Sequence, residues 1–240
     1  MQTVFKRYEL KFILSMEQKE RLLARMQPYM SMDQYGRTEI RNLYFDTPDY
    51  RLIRRSIDRP SYKEKLRLRS YGMTQPDSAV FVELKKKCDG VVYKRRLCMD
   101  LPKAMDWLCD KGAPPDQRQI TKEIDYFLKF YGDLRPTVYL SYEREAYFAE
   151  NSDFRVTFDH NIICRQDNLT LCGNLGGHHI LPADQCLVEI KCSGGIPLWM
   201  TSALSAMKLY KTSFSKYGTA YQTLIYPHLH KETISYGNII

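Results

Sequence analysis

Paired cysteines, long apolar runs and low-complexity segments are all missing from this sequence. The seven cysteines are odd in number and form no C-x-x-C pair, which argues against a disulfide framework and against a zinc site. No uninterrupted apolar run approaches the roughly 20 residues that a membrane helix needs, and the first residues carry no apolar signal segment. These absences predict a cytoplasmic protein with reduced thiols and no transmembrane segment.

The composition is typical of a globular protein. At 240 residues the chain is long enough to bury one good hydrophobic core, and its 44% hydrophobic and 27% charged residues are ordinary globular values. The 18 tyrosines and 10 phenylalanines favour a strand-rich fold. The formal net charge of +8 favours an anionic partner, such as nucleic acid, phosphates or an acidic membrane surface.

One stretch, residues 62–71, organises the rest of the interpretation. Side chains alternate between the two faces of a strand, so that Lys63, Lys65, Arg67 and Arg69 share one face while the other face is mostly apolar. Like charges in a row repel each other, and such a row therefore needs an explanation. A solvated face is one explanation, and a polyanionic ligand is the other.

Three further segments carry the same alternation, and this recurrence favours a sheet whose charged face is its working face. In each of them the opposite face is aliphatic or aromatic. The charged faces consist of Arg7, Glu9 and Lys11, of Glu83, Lys85 and Lys87, and of Glu189 and Lys191.

The pattern along the whole chain predicts an α+β fold with about eight strands, four or five helices and many hairpin-length connections. We expect an eight-stranded antiparallel β-barrel with helices packed on the outside. Periodicity alone leaves open whether the ionic face lines the lumen or faces the solvent. Helices need apolar surface to pack on, which favours an ionic lumen. Residues 1–226 are expected to form a single domain and residues 227–240 a tail.

Local signals refine this outline. Ser15 followed by Gln18 is the spacing of a capping box, which predicts a helix start. Residues 196–210 and 215–226 are predicted helices, and the glycine-rich residues 168–181 are expected to form a hairpin. His178 and His179 fall in that segment and are expected to lie in an exposed loop.

Eight motifs occur in an order that resembles a known family. They are RYELKF (7–12), YFDT (44–47), KLRLRSYG (65–72), FVELK (81–85), YEREAY (142–147), RVTFD (155–159), VEIK (188–191) and FSKY (214–217). Together they resemble the VTC domain, the catalytic domain of the vacuolar transporter chaperone polyphosphate polymerases, which belongs to the triphosphate tunnel metalloenzymes (the CYTH group). The resemblance runs from residue 3 to about residue 226.

The resemblance implies a tunnel lined with Lys and Arg in which the γ-phosphate of ATP is transferred to a growing polyphosphate chain. It also implies a divalent metal ion, Mn²⁺ or Mg²⁺. The implied catalytic, phosphate-binding residues are Lys11, Arg67, Arg69, Lys85, Arg144, Arg155 and Lys216. Further phosphate contacts are expected from Arg7, Lys65, Lys87, Arg96 and Lys191. Glu189 is the implied metal ligand, with Glu83 and Glu9 as further acids that pair with tunnel cations or help to hold the metal.

One position departs from the hydrolytic branch of that superfamily, which typically opens with E-x-E-x-K. Here Arg7 stands at the first position, so the motif becomes R-x-E-x-K. A base in place of an acid removes a metal ligand and adds a phosphate contact, which favours the polymerase branch. Asp159 could bind metal, and pairing with Arg155 at a turn edge is an equal alternative.

Three functions compete at this point. The first is a metal-dependent polyphosphate polymerase with ATP or another triphosphate and inorganic polyphosphate as its partners. The second is a tripolyphosphate or nucleoside triphosphate hydrolase, against which Arg7 argues. The third is a non-catalytic module that binds polyphosphate or nucleic acid. Nucleic acid is not expected, because Glu9, Glu83 and Glu189 on the cationic faces would repel a phosphodiester backbone unless a metal intervened.

Overall fold

The sheet dominates the fold, which we describe from a computed structural model that covers residues 8–89, 91–110, 112–173 and 176–229. All strand pairs are antiparallel, and the hydrogen-bonded order is β1-β9-β7-β6-β2-β3-β4-β5, with β8 paired to β7. The strands are β1 (Tyr8–Ser15), β2 (Ser31–Asp46), β3 (Tyr62–Tyr71), β4 (Ala79–Cys88), β5 (Val91–Asp100), β6 (Arg135–Phe148), β7 (Arg155–Arg165), β8 (His178–His179) and β9 (Gln185–Cys192).

Six α-helices accompany this sheet within the described residues, which confirms the predicted α+β class. They are α1 (Met16–Met26), α2 (Arg51–Ile57), α3 (Leu101–Cys109), α4 (Gln119–Tyr131), α5 (Leu198–Ala206) and α6 (Lys216–Ala220), the last followed by a π-helical turn (Tyr221–Ile225). The Ser15 capping box is present, with the Ser15 hydroxyl accepting from the Gln18 amide and the Gln18 side chain accepting from the Ser15 amide. None of these helices has the length and apolar composition needed to cross a membrane.

The sheet curls far enough to bring β1, at one end of the hydrogen-bonded order, near β4, the strand next to its other end. Glu9 Oε2 of β1 lies 3.6 Å from Lys85 Nζ of β4. Within the described residues no backbone hydrogen bonds join β1 to β5, so the barrel is not closed. Charged side chains rather than backbone groups lie across the gap between β1 and β4, so that the antiparallel barrel expected from the sequence, closed or nearly closed, is present in its nearly closed form.

Helices cover the outer face of the sheet in two groups. α3 and α4 pack against β2 to β5, where Trp107 and Phe127 meet the buried residues Leu66, Val82 and Leu97. α1 and α5 cover the other half of the sheet and bury the apolar side chains of β1, β7 and β9. Full burial of one such aliphatic side chain contributes roughly 1.5–3 kcal/mol. Because the aliphatic face is used in this way, the ionic face lies inside, as the need of the helices for apolar surface predicted.

The interior is apolar at one end and ionic at the other. Tyr217 and Tyr221, from α6 and the π-helical turn, and Ile53 from α2 pack against Leu140 and Leu187 of the sheet. These elements close one end of the curled sheet. The charged side chains of β1, β3, β4, β6 and β9 remain around the rest of the cavity, which we call the tunnel.

The glycine-rich segment is not a hairpin, which corrects the expectation for residues 168–181. Only His178–His179 forms a strand, and both histidines are exposed as predicted; residues 174 and 175 lie outside the described part of the chain. Arg41 Nη1 donates to the carbonyl of Leu171 (3.1 Å), and Arg165 Nη2 donates to that of Thr170 (3.1 Å). Because arginine side chains satisfy these carbonyls, the loop does not need cross-strand backbone bonds.

Candidate functional site

Cations lie in successive rows on the inner face of β3, β4 and β5. Lys65, Lys85 and Lys94 are directly opposite one another, and Arg67, Glu83 and Arg96 form the next row. Residues opposite each other in an antiparallel ladder project from the same face. We call this set, together with Arg69, the β3–β5 wall.

Burial and the crowding of like charges change the protonation of Lys65. Burial, followed by repulsion from Lys63 and Lys85, lowers the pKa of Lys65 to about 7. Its ammonium group donates to Ser215 Oγ at 3.2 Å. A lysine with so low a pKa gains most from an anion that enters the tunnel, since the anion favours the charged form.

Glu83 is the counter-ion of the β3–β5 wall. Both Nε and Nη2 of Arg67 donate to its Oε2 (2.8 and 2.7 Å), Arg96 Nε donates to its Oε1 (2.7 Å), and Lys94 Nζ lies 2.8 Å from Oε1. Arg69 lies 3.8 Å away. Burial would raise the pKa of Glu83, but the attraction of Arg67, Arg69 and Lys94 outweighs it and holds that pKa far below its usual range. The carboxylate is only 1% exposed and is fully occupied by cations.

The opposite side of the tunnel carries three carboxylates, Glu9 of β1, Asp159 of β7 and Glu189 of β9, and we call it the carboxylate wall. It also includes three cations, Lys11 of β1, Arg144 of β6 and Lys191 of β9. Lys11 Nζ lies between Glu9 Oε1 (3.3 Å) and Glu189 Oε1 (3.4 Å). Lys191 Nζ donates to Glu189 Oε2 at 2.8 Å. Glu9 and Glu189 therefore share the ammonium group of Lys11.

Asp159 pairs across the strands rather than along its own strand. Arg144 Nε and Nη2 donate to its two carboxylate oxygens (2.6 and 2.7 Å), and Lys216 Nζ also donates to it. Arg144 is directly opposite Asp159 in the ladder, whereas Arg155 lies four residues back along β7, roughly 13 Å at strand rise. Strand register explains why the expected Arg155 pair does not form.

The segment that enters α6 closes the tunnel from the apolar end. The Lys11 ammonium donates to the carbonyl of Phe214 at 3.2 Å, and Lys216 reaches Asp159 and lies 3.6 Å from Glu189. The hydroxyl of Tyr217 donates to Asp46 at 2.9 Å. A single short segment thus contributes a carbonyl, a hydroxyl and a cation to the site.

Several polar residues of the site were missed by sequence reasoning. The hydroxyl of Tyr44 accepts from Arg67 Nη1 (3.0 Å) and that of Tyr142 accepts from Arg69 Nη2 (3.2 Å). The buried Asp46 accepts from the Leu52 amide at 2.8 Å as well as from Tyr217. The YFDT and FSKY motifs were the only signals that could have pointed to Asp46 and Tyr217, because pattern alone cannot pair residues so far apart in the chain.

The structure places most of the proposed site residues in the lining of the tunnel, in two separate groups of polar contacts. One group surrounds Glu83 and consists of Arg67, Arg69 and Arg96. The other lies around Glu9 and Glu189 and consists of Lys11, Lys85, Arg144, Lys191 and Lys216, while Lys65 contacts Ser215. Arg155 and Lys87 are exposed, opposite Lys191 and Lys63 respectively, and belong to neither group. Arg7 lies outside the described residues.

The carboxylate wall fits a divalent metal ion better than the β3–β5 wall does. Glu9 and Glu189 offer hard carboxylate oxygens on either side of one lysine, and hard oxygens are the ligands that Mg²⁺ and Mn²⁺ prefer. Both oxygens of Glu83 are held by arginine or lysine at 2.5–2.8 Å, whereas the cations that face Oε1 of Glu189 lie 3.4 and 3.6 Å away. No group of three or more metal-ligating side chains occurs in the described part of the chain, so phosphate and water would have to complete the coordination.

Comparison with known proteins gives a family and a fold. The family model for the VTC domain matches residues 6–225. A candidate adenylate cyclase from Bacillus halodurans has a TM-score of 0.54 at 16% identity, covering 88% of this chain and 94% of that chain. A candidate adenylyl cyclase from Hippeastrum, in which a triphosphatase activity is dominant, has a TM-score of 0.50 at 14% identity, covering 90% of this chain and 94% of that chain.

At these identities the two structures are similar to this chain in fold alone. Each of the two similarities extends over 88% or 90% of this chain, and therefore over nearly the whole of its sheet and helices. No curated protein sequence was found to match the chain.

Proposed function

The chain belongs to the VTC domain family, and on that premise we propose that it is a metal-dependent polyphosphate polymerase. In this proposal it transfers the γ-phosphate of ATP to a growing inorganic polyphosphate chain inside the tunnel. The family and the fold support an enzyme of the phosphoryl-transfer class. The choice of a polymerase within that class is our proposal.

The observation that carries the proposal is the excess of cations around a small number of carboxylates. Among the described residues, four acids line the tunnel, Glu9, Glu83, Asp159 and Glu189. Ten cations accompany them: Lys11, Lys65, Arg67, Arg69, Lys85, Lys94, Arg96, Arg144, Lys191 and Lys216. Such an excess is costly without a polyanion, and a chain of phosphates would supply the missing charge.

Phosphoryl transfer asks the protein mainly for alignment and for stabilisation of charge on the phosphate oxygens. Arginine guanidinium groups bind such oxygens in a bidentate manner, whereas lysines act as point charges. Arg67 and Arg69 on one wall and Arg144 on the other would hold the phosphate chain between them. Lys11 and Lys216, near the closed end, would neutralise charge around the reacting phosphate.

The metal would be held by Glu189 and Glu9, with Mn²⁺ and Mg²⁺ as the candidates. When bound, such an ion draws charge from phosphate oxygens. Glu83 is assigned a different role in the proposal: it keeps Arg67 and Arg96 in place rather than binding metal, because its oxygens are already occupied.

The runner-up is a tripolyphosphate or nucleoside triphosphate hydrolase. It is favoured by the fold shared with the Hippeastrum protein, in which a triphosphatase activity is dominant. Arg7 favours the polymerase, because it stands where the hydrolytic branch has an acid. A non-catalytic module that binds polyphosphate is the third candidate.

Product analysis tests the proposal. The protein is incubated with γ-labelled ATP and Mn²⁺ or Mg²⁺, beside Glu189→Gln and the matched control Glu64→Gln, whose carboxylate lies on the outer face and accepts from the Tyr131 hydroxyl. We expect a size ladder of labelled polyphosphate that falls by about 100-fold or more in Glu189→Gln and persists in Glu64→Gln. Labelled orthophosphate alone would replace the polymerase with the hydrolase, and tight polyphosphate binding without turnover would leave a binding module.

A further inference from the structure

We propose that the Thr157 hydroxyl is a further oxygen ligand of the divalent-metal site, beside Glu189. This inference rests on the proposed function and names a residue that the sequence analysis did not select. It is carried by the strand register, by the hydroxyl's lack of a partner and by the chemistry of its neighbours.

The register places Thr157 in the same row as the carboxylate. Lys11 of β1 is opposite Glu189 of β9, Glu189 is opposite Thr157 of β7, and Thr157 is opposite Ala146 of β6. Opposed residues in an antiparallel ladder share a face, with Cβ atoms about 4.5–5.5 Å apart. Thr157 therefore faces the tunnel one strand away from Glu189, and the small side chain of Ala146 leaves room on its other side.

The Thr157 hydroxyl differs from those of the other buried threonines in the described part of the chain. Its Oγ1 is buried and makes no hydrogen bond within those residues. Thr47, Thr74, Thr121 and Thr137 are equally buried, and each has a polar contact through its Oγ1, with Asp49, Cys172, Asp116 and the Tyr44 carbonyl respectively. Buried hydroxyls are normally satisfied, so Thr157 stands out at the position where the tunnel reaches Glu189.

The chemistry of the neighbours favours a cation over an anion as its partner. The Glu189 carboxylate lies 2.8 Å from Lys191 Nζ, 3.4 Å from Lys11 Nζ and 3.6 Å from Lys216 Nζ, which are the surroundings of a negatively charged group. A phosphate oxygen beside Thr157 would meet that negative charge directly. A divalent cation is attracted to both oxygens, and a threonine hydroxyl is a known magnesium ligand in phosphoryl-transfer enzymes.

The test is a Mn²⁺ titration followed by the electron paramagnetic resonance signal of free Mn²⁺, using the full chain without nucleotide. Thr157→Val keeps the shape and removes the hydroxyl, while Thr157→Ser keeps the hydroxyl. We expect Mn²⁺ affinity to fall by about tenfold in Thr157→Val and to stay within about twofold of the wild type in Thr157→Ser. Thr74→Val, at a buried threonine whose hydroxyl contacts Cys172, is the matched control and should bind normally.

The outcomes separate this inference from the proposed function. Normal Mn²⁺ binding by Thr157→Val together with weak binding by Glu189→Gln would overturn the threonine ligand and leave the metal site in place. Equal losses in Thr157→Val and Thr157→Ser, or an equal loss in Thr74→Val, would assign the effect to packing and would also overturn it. A wild-type protein that retains no Mn²⁺ would overturn the metal site and the inference together.

Discussion

The two walls of the tunnel hold their glutamates in different ways. On the β3–β5 wall, Glu83 is 1% exposed and lies among four cations that contact it. On the carboxylate wall, Glu9 is 29% exposed, and it shares the ammonium of Lys11 with Glu189. Both glutamates belong to strands with the same alternation of charge, so residue type and strand position do not explain the difference.

What differs is the number of opposing strands that supply cations. Arg67 and Arg96 lie on the two strands that flank Glu83, one on each side in the same row. Glu9 lies on an edge strand, with a hydrogen-bonded neighbour on one side only among the described strands. Glu83 is therefore held as a counter-ion from both sides, whereas Glu9, on the open edge, keeps oxygens that a metal ion can use.

The largest effect should come from neutralising the central acid. Glu83→Gln takes the shared counter-ion, itself 1% exposed, away from Arg67, Lys94 and Arg96, and breaking a charge pair at a buried carboxylate costs about 3–5 kcal/mol. Glu9→Gln, at a partly exposed ion pair, should cost no more than about 1 kcal/mol. Urea unfolding at pH 7 measures both free energies of unfolding, and similar losses in the two variants would remove the distinction between the walls.

The second prediction tests whether the excess of cations in the tunnel binds a polyanion. Tripolyphosphate at 100 times its Kd should stabilise the folded protein by about 2.7 kcal/mol, read as a rise in melting temperature. Lys65→Met, on the inner face, should reduce this rise. Lys86→Met, on the same pair of strands but beside Glu64 on the outer face, should leave it unchanged. A rise that survives in both variants would place the binding of tripolyphosphate outside the tunnel.

The smallest expected effect is the dependence of stability and of tripolyphosphate affinity on pH. We expect it from the β3–β5 wall and not from the carboxylate wall. The folded pKa of Lys65 is about 7 and its unfolded value is about 10.4, so between these values the unfolded chain binds more protons. Stability of the ligand-free protein should therefore rise as pH increases through this window. Tripolyphosphate favours the protonated lysine, so its affinity should fall above pH 7, by at most about tenfold per pH unit for this one group.

Calorimetric titration between pH 6.5 and 8.5 measures that slope, and two buffers with different ionisation enthalpies report the protons taken up. The acids of the carboxylate wall should not contribute, because the pKa values of Glu9, Asp159 and Glu189 are all lowered from values already far below this range. Lys65→Met should flatten the dependence. An unchanged slope in that variant would assign the proton uptake to another group.

Much of the architecture was predictable because it depends on local alternation. The two-residue period of β3 and β4 placed cations on one face and leucines and valines on the other, and the structure buries Leu66, Val82 and Leu84 beneath helices as that pattern requires. The α+β class and the helices on the outer face followed from the same reasoning. The capping box at Ser15 was equally local, since its two residues are three apart.

The pairing of the charged groups was not predictable in the same way. Asp159 binds Arg144 and Lys216 rather than its neighbour Arg155, because β6 lies beside β7 in a register that no strand specifies alone. The open edge of the sheet and the loop held by Arg41 and Arg165 also depend on contacts between distant segments.

Alternation along single strands specifies which residues share a face, and the sequence therefore predicts a charged sheet surface that carries the motifs of the VTC domain family. Contacts between distant segments curl this surface into a tunnel, close one end of it with α6, and give Glu83 and Glu9 different surroundings. The reason is physical: face alternation is set by backbone geometry within one strand, whereas a charge is satisfied by groups that strand order and register bring from elsewhere in the chain.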